Sequence, residues 1–487
     1  MGQHLAKVLY VCALGGCSLI YNPSNLPEKG SMPPDAPIAD ANPALLHIDE
    51  VKSPPLLEGA GQSGSAPQVL VVYGGHITQG AMVTLAPATA DANVVVELKN
   101  ISIALDGNSF AGTVTAAYMD MLDETGANMS AEIPLTITVS QDGAPAPVTL
   151  PWALKPLDEL TTAGAQAVPP AGKLFSRVDV TGDLIYPAGL RPVIRAIGSI
   201  KITGKVTANS PGSKVAGAGG CAGGAADSNA ECFGGGKAGG GGGGFANTGG
   251  DGDPNTGGPV SGDPLVRSFD GSGMEMNRGG GGGGGASAIG GGGGGTIEIT
   301  AGGNLQVGSL EANGVSGAGS LLGRGAGGGA GGAVVLRAGA MLTLPTGVAL
   351  NPGAGGAGTL GLANKGGDGS VGRWRYDANA TTGTPPGAPP PKRGPILVRP
   401  ENPIFEKKEV PQFMVNGDPG GSGAGVDLVV QFADGTTDTK TVNLTGATST
   451  VVTPNLQIGL NIVCVVIAGG NFADEEAKNC IEVAFVP

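Results

Sequence analysis

The side chains that could do chemistry in this 487-residue chain are few and scattered. There are three histidines, His4, His47 and His76. A Ser-His-Asp relay needs an imidazole between a nucleophile and a carboxylate, and an imidazole zinc site needs several to converge. With one of the three at the extreme N-terminus, neither is easily assembled. No Gly-x-Ser-x-Gly stands in a strand–turn–helix context, and Gly236-Lys237 is followed by Ala238 where a phosphate loop needs Ser or Thr. Arg195, Lys201, Arg337 and Arg373 could line one catalytic face. Lacking acids at matching positions, they read as solvated outward positions on strands. Asp251-Gly-Asp253-Pro-Asn255 spaces oxygen ligands alternately, as Ca²⁺ requires. The loop lacks Gly at its sixth position and Glu at its twelfth, and Pro254 interrupts the nonapeptide calcium pattern. Asp251, Asp253 and Asn255 are therefore a calcium candidate weighed against a plain polar loop.

The cysteines fall in three groups: Cys12 with Cys17, Cys221 with Cys232, and Cys464 with Cys480. In an exported chain the last two local pairs imply disulfides Cys221–Cys232 and Cys464–Cys480; the alternative is buried free thiols. Export is indicated by Met1–Gly16, where Lys7 precedes apolar Val8–Leu14 and then Gly15-Gly16. The apolar run is too short to span a bilayer, which takes about 20 residues. Leu14-Gly15-Gly16-Cys17 resembles the bacterial lipobox. That resemblance implies cleavage before Cys17 and lipid on Cys17, and Ser18 in place of an inner-membrane-retaining Asp implies the outer membrane. A plain signal peptide is the alternative. The segment Cys17-Ser-Leu-Ile-Tyr-Asn-Pro resembles the mature start of Gram-negative, myxobacterial-type surface lipoproteins.

The elements that must position any site are organised around Gly212–Gly372. This stretch contains the runs Gly239–Gly244, Gly279–Gly285 and Gly290–Gly295. Glycine loses more conformational freedom on folding than any other residue, so a free linker is the obvious reading. Recurrent strand-forming pieces argue against it. Ile194–Asn209, Ile297–Asn313 and Val334–Asn351 share one order: strand, Gly-containing turn, strand, turn, short strand, Asn. Short strands repeated between turns are the mark of a stacked fold, in which each rung buries its face against the next. The asparagines at one corner could hydrogen-bond as a ladder. The block resembles Gly-rich β-helical repeats of bacterial surface proteins, and its glycine runs resemble packed polyglycine-II helices. The stack should bury Ile297, Ile299, Leu305, Val307, Leu310, Val334, Leu336, Leu342, Leu344 and Val348.

The whole chain therefore reads as all-β. Residues 1–16 are a signal and 17–43 a Pro/Asp-rich tether. Residues 44–157 alternate in six strand candidates and resemble an immunoglobulin-like sandwich of the IPT/TIG class. Residues 158–380 form the Gly-rich β-helix-like domain with an insertion at 212–278. Residues 381–395 are a Pro-rich stiff linker. Residues 396–487 resemble a second immunoglobulin-like sandwich, with Asp434-Gly435 as a hairpin signal and Cys464 and Cys480 stapling its last two strands. Trp152 is a core aromatic at the module boundary.

The net charge of −13 disfavours nucleic acid as a partner, and no basic stripe interleaved with aromatics occurs. The expected function is a lipid-anchored, non-catalytic cell-surface protein, structural or adhesive, with the membrane as partner through its lipid and a polysaccharide or another surface protein as ligand. The alternatives are a carbohydrate-active β-helix enzyme, lyase or glycosidase-like, or a polysaccharide-binding module on the same scaffold. A groove holding two or three carboxylates would favour the enzyme.

Overall fold

The computed structural model describes residues 45–118, 131–162, 169, 173–231, 240–243, 249–252, 283–285, 287–321, 323–359, 364–387, 389–418, 424–444, 448–467 and 478–487. Among them the regular structure is all-β. The expected signal, tether and lipid-bearing Cys17 lie outside the described residues, as do Cys232, Asp253 and Asn255.

Eight strands form the first module: β1 His47–Val51, β2 Leu56–Leu57, β3 Gln68–Gly75, β4 Met82–Pro87, β5 Val94–Ile103, β6 Ser109–Tyr118, β7 Ile133–Ser140 and β8 Val148–Lys155. They make two four-stranded sheets, β1-β3-β6-β5 and β2-β8-β7-β4. Alternating residues of both sheets, among them Leu70, Phe110, Ile137 and Leu154, meet in one core. Trp152 joins that core, and its indole N–H donates to the Pro54 carbonyl at 3.2 Å, which satisfies a buried donor.

The parallel stack comprises β9 Leu160–Thr162, β10 Leu174–Phe175, β11 Val178–Val180, β12 Leu184–Ile185, β13 Val193–Ala196, β14 Ile200–Thr207, β15 Thr296–Ala301, β16 Leu305–Glu311, β17 Ala333–Thr343, β18 Gly347–Ala349, β19 Arg373–Thr382 and β20 Lys392–Val398. Pairing runs β13-β15-β17-β19 on one flank and β11-β14-β16 on another, all parallel. The register stacks like on like: Ile194 on Ile299 on Leu336, Ala196 on Ala301 on Ala338 on Ala378, and Val206 on Leu310 on Val348. All ten apolar residues expected inside the stack belong to its single core. The corner asparagines form the expected ladder. The Asn313 N–H donates to Asn209 Oδ1 at 2.7 Å and the Asn351 N–H to Asn313 Oδ1 at 2.8 Å.

The glycine segments are ordered into a sheaf beside the stack. The amides of Gly325, Gly328 and Gly331 donate to the carbonyls of Asn364, Gly367 and Ser370. Those of Ala326, Gly329 and Gly332 donate to Ala318, Val315 and Ala312. Gly327 donates to Gly283. In return, Gly240 and Gly243 donate to Gly325 and Gly328, Gly291 and Gly294 to Gly327 and Ala330, and Gly356 and Gly353 to Ala326 and Gly329. Each neighbour is met every third residue, which is the period of a threefold extended helix with no internal hydrogen bonds. Six surrounding segments thereby bond to the backbone of one. At many glycines no side chain fits: a Cβ on Gly284 would lie 1.7 Å from the Ala225 carbonyl oxygen, and one on Gly327 2.0 Å from that of Gly241.

The last module contains β21 Ile404–Glu406, β22 Phe413–Asp418, β23 Ala424–Phe432, β24 Thr437–Leu444, β25 Thr448–Val452, β26 Gly459–Ile467 and β27 Lys478–Val486. Its five-stranded sheet is β21-β27-β26-β23-β24. Cys464 and Cys480 face each other across β26 and β27 and are disulfide-bonded, as expected. Its other sheet is continuous with the stack. β20 pairs in parallel with β19 and antiparallel with β22. Residues 392–395, read from sequence as part of a stiff spacer, are therefore strand, and the Trp374 indole ties Pro389 down at 2.7 Å. The first and last modules also touch: Val69, Val71 and Ala111 pack against Ile404, Ala484 and Val486.

Candidate functional site

The outward face of the parallel flank is where the sequence reading needs correction. Along β13, β15, β17 and β19 the inward positions are apolar, and the outward ones carry Arg195, Glu298, Thr300, Arg337, Arg375 and Asp377. Alternation directs these side chains away from the core. Four of them scarcely meet solvent, and on this face Val335 packs against Val429 of β23 and Cys464 and Val466 of β26. Arg337 is 5% exposed, Arg375 1%, Glu298 1% and Asp377 2%. Arg337 is thus buried, not solvated. The acids missing from the linear reading are present: Asp377 stands directly beside Arg337 in register, and Glu298 one row away. Lys201 is exposed on β14 and Arg373 is half-buried on β19.

Burying charge is costly unless it is paired, and here most of the charged atoms are, Asp377 Oδ1 having no hydrogen-bond partner among the described residues. Glu298 Oε1 accepts from Arg337 at 2.8 Å and from Arg195 at 3.3 Å, and Oε2 accepts from Arg191 at 3.3 Å. Asp377 Oδ2 accepts from Arg375 at 2.8 Å and Arg337 at 3.2 Å. Burial pulls the Arg375 pKa down, and the Asp377 charge opposes that shift. Gly394 on β20 makes room for the pair, since a Cβ there would sit 1.9 Å from Asp377 Oδ1.

Beside this network opens a cleft of about 450 Å³ where the three parts of the molecule meet. Pro54 and Gln68 line it from the first module, Arg195, Glu298 and Thr300 from the stack, and Ile481 and Glu482 from β27. Lys155, Arg337 and Arg399 also face it. Arg399 bridges two parts by donating to the carbonyls of Gly64 and Gly302, both at 3.1 Å.

Glu482 is a strongly perturbed carboxyl there. Beyond Lys52 the chain no longer runs as a strand alongside β3, so Ser53 bonds Val71 N–H and the Val69 carbonyl, and Glu482 Oε2 accepts the Val69 N–H at 3.1 Å. Burial raises its pKa to about 7, and the Val69 amide opposes the shift. The folded protein therefore holds a proton that the unfolded chain releases near pH 4.5. Stability from this group is complete below about pH 4.5, falls between about 4.5 and 7, and is lost above. The span corresponds to roughly 3 kcal/mol at about 1.4 kcal/mol per pH unit. Glu482→Gln should remove that pH dependence. Denaturant midpoints of both proteins at pH 5 and pH 8 check it, and parallel shifts in the two would contradict it.

The chain matches no protein-family model, curated protein or solved structure. Its site residues must therefore be judged from geometry alone. Cys221 is disulfide-bonded, while its expected partner Cys232 lies outside the described residues. Asp251 is exposed, and the rest of the calcium candidate lies outside the described residues. Sequence reasoning missed Glu298, Asp377 and Glu482. Only Glu298 had a signal, as the single acid in Ile297-Glu-Ile299 level with Val193-Ile-Arg195. The pairing of β1 with β3 also brings His47 and His76 to 6.2 Å between ring centroids.

Proposed function

We propose that this chain is a non-catalytic surface protein of structural or adhesive type, exported and held at the outer membrane by lipid on Cys17. In this reading two immunoglobulin-like sandwiches clamp a short parallel β-helix, and the glycine sheaf packs as polyglycine II. The period-three donor pattern supports the last point, and the like-on-like ladders support the second. The observation that carries the functional reading is the state of the buried acids. Glu298 is held by three arginines and Asp377 by two, so both carboxylates serve as counter-ions within the fold. Among the described residues, 325–332 at the centre of the sheaf are glycine and alanine and offer no reactive side chain.

Two features of the cleft bear on the other readings. Lys155, Arg195, Arg337 and Arg399 line it, which suits the second reading, a module that binds acidic polysaccharide, whereas Glu132, Glu298 and Glu482 line it as well, the carboxylates an enzyme would need. Residues 18–487, screened against neutral and uronate-containing polysaccharides and intact cells with turnover and binding scored separately, should show binding without turnover. Turnover abolished by Glu482→Gln would establish the enzyme in place of both readings. Binding confined to uronates and weakened by salt would favour the second.

A further inference from the structure

We propose that His47 and His76 form a binding site for one divalent transition-metal ion at an end of the first module. Two of the chain's three histidines meet there, with ring centroids 6.2 Å apart and planes tilted by 57°. Both rings are exposed. The meeting is built by the backbone. His47 pairs in register with Gly75, and a Cβ on Gly75 would fall 2.4 Å from His47 Cε1. Glycine at that position is what allows the imidazole to lie across β3 toward the next residue, His76.

His76 has φ of +59°, a conformation uncommon for residues with a side chain. The turn is held from outside by Gln141, whose amide donates to the His76 carbonyl at 2.8 Å and accepts the Thr78 N–H at 2.9 Å. On the other ring, Nδ1 of His47 lies 3.1 Å from the Leu45 carbonyl. Donating there leaves Nε2 as the lone-pair nitrogen, the arrangement by which metal-ligating histidines are usually oriented. Asp49 Oδ2 is 3.6 Å from that Nε2 and adds negative charge beside it.

The separation suits a shared ion after a small adjustment. With metal–nitrogen bonds of about 2.0–2.1 Å, a ring centroid sits roughly 3.2 Å from the ion, so two imidazoles on a tetrahedral centre have centroids about 5.2 Å apart. Closing the gap takes about 1 Å of movement by two exposed rings. Imidazole selects Zn²⁺, Ni²⁺ and Cu²⁺ over Ca²⁺ and Mg²⁺, and Cu²⁺ should bind most tightly of the three. Among the described residues no group of three or more His, Cys, Asp or Glu side chains could hold an ion together. The site is therefore a two-imidazole chelate whose remaining positions are filled by water.

The test titrates the full chain with Cu²⁺ and with Zn²⁺ by calorimetry and records the electron paramagnetic resonance spectrum of the Cu²⁺ form. One equivalent should bind, with nitrogen splitting from two imidazoles. His76→Asn preserves a residue that accepts positive φ, so the turn persists while the ligand is removed. It should weaken Cu²⁺ binding at least tenfold, and His47→Gln should do the same. His4→Gln should leave binding unchanged. Wild-type splitting from one imidazole or none would overturn the proposal without reference to any variant. So would full affinity in His76→Asn, or binding lost with His4.

Discussion

Replacing Gly327 by alanine is expected to unfold the glycine sheaf. The added methyl would lie 2.0 Å from the Gly241 carbonyl oxygen, 2.5 Å from its carbon and 3.0 Å from the Gly242 nitrogen. All three are backbone, so no side-chain rotation relieves the clash. Gly327 donates to Gly283 and accepts from Gly291, so moving it breaks bonds on both sides. The loss should exceed about 4 kcal/mol, the range reached only by severe core disruption. Limited proteolysis should then cut between residues 283 and 372 faster than it cuts the wild type. Gly387→Ala is the control, because nothing lies within 4 Å of its Cβ position, and it should melt like wild type. Equal melting temperatures for Gly327→Ala and wild type would mean that the sheaf is not packed as described.

Glu298→Gln should be the most damaging single change at the buried network. The amide keeps the size of the carboxylate but leaves three guanidiniums facing a neutral group, with Arg337 almost wholly buried. Breaking a buried pair by removing one partner costs about 3–5 kcal/mol, mostly because the remaining charge is stranded. The contrast is Glu159→Gln, which breaks the Arg177 pair at 3.0 Å where the partners are 50% and 30% exposed. That change should fall below about 1 kcal/mol. Urea midpoints of the two variants measured side by side decide the matter. Similar small shifts would mean that solvent reaches Glu298.

Alternation carried much of this architecture. It marked the strand pieces of the stack and of the last module, and the spacing of Asn209, Asn313 and Asn351 carried the ladder. Period-two patterning says which side chains share a face but not what covers the face. Ile297-Glu-Ile299 is equally compatible with a solvated Glu and with the buried one found beside Val335. What decides it is the docking of β20 onto β19, which begins inside a Pro-rich run that composition alone reads as spacer. Glu482 was hidden for the same reason. Its outward position on β27 looks solvated until the first module is placed against it. His47 and His76 are 29 positions apart, and only the β1–β3 register brings them together. The glycine runs were legible as candidates for close packing, but the direction of each hydrogen bond depends on which segment lies beside which.

The sheaf hides peptide groups together with only the glycine Cα atoms and a few alanine methyls such as those of Ala326 and Ala330, and this bears on how the protein responds to temperature. Exposing apolar surface raises the heat capacity of unfolding by about 0.45 cal/mol/K per Å², whereas exposing polar surface lowers it by about 0.26. The two flanking modules, with cores built on residues such as Phe110 and Phe413, follow the usual curved dependence and weaken in the cold. In the sheaf the two contributions oppose each other and leave little curvature. Its free energy then changes almost linearly with temperature, and it goes on firming as the temperature falls, below the point where its neighbours begin to lose strength.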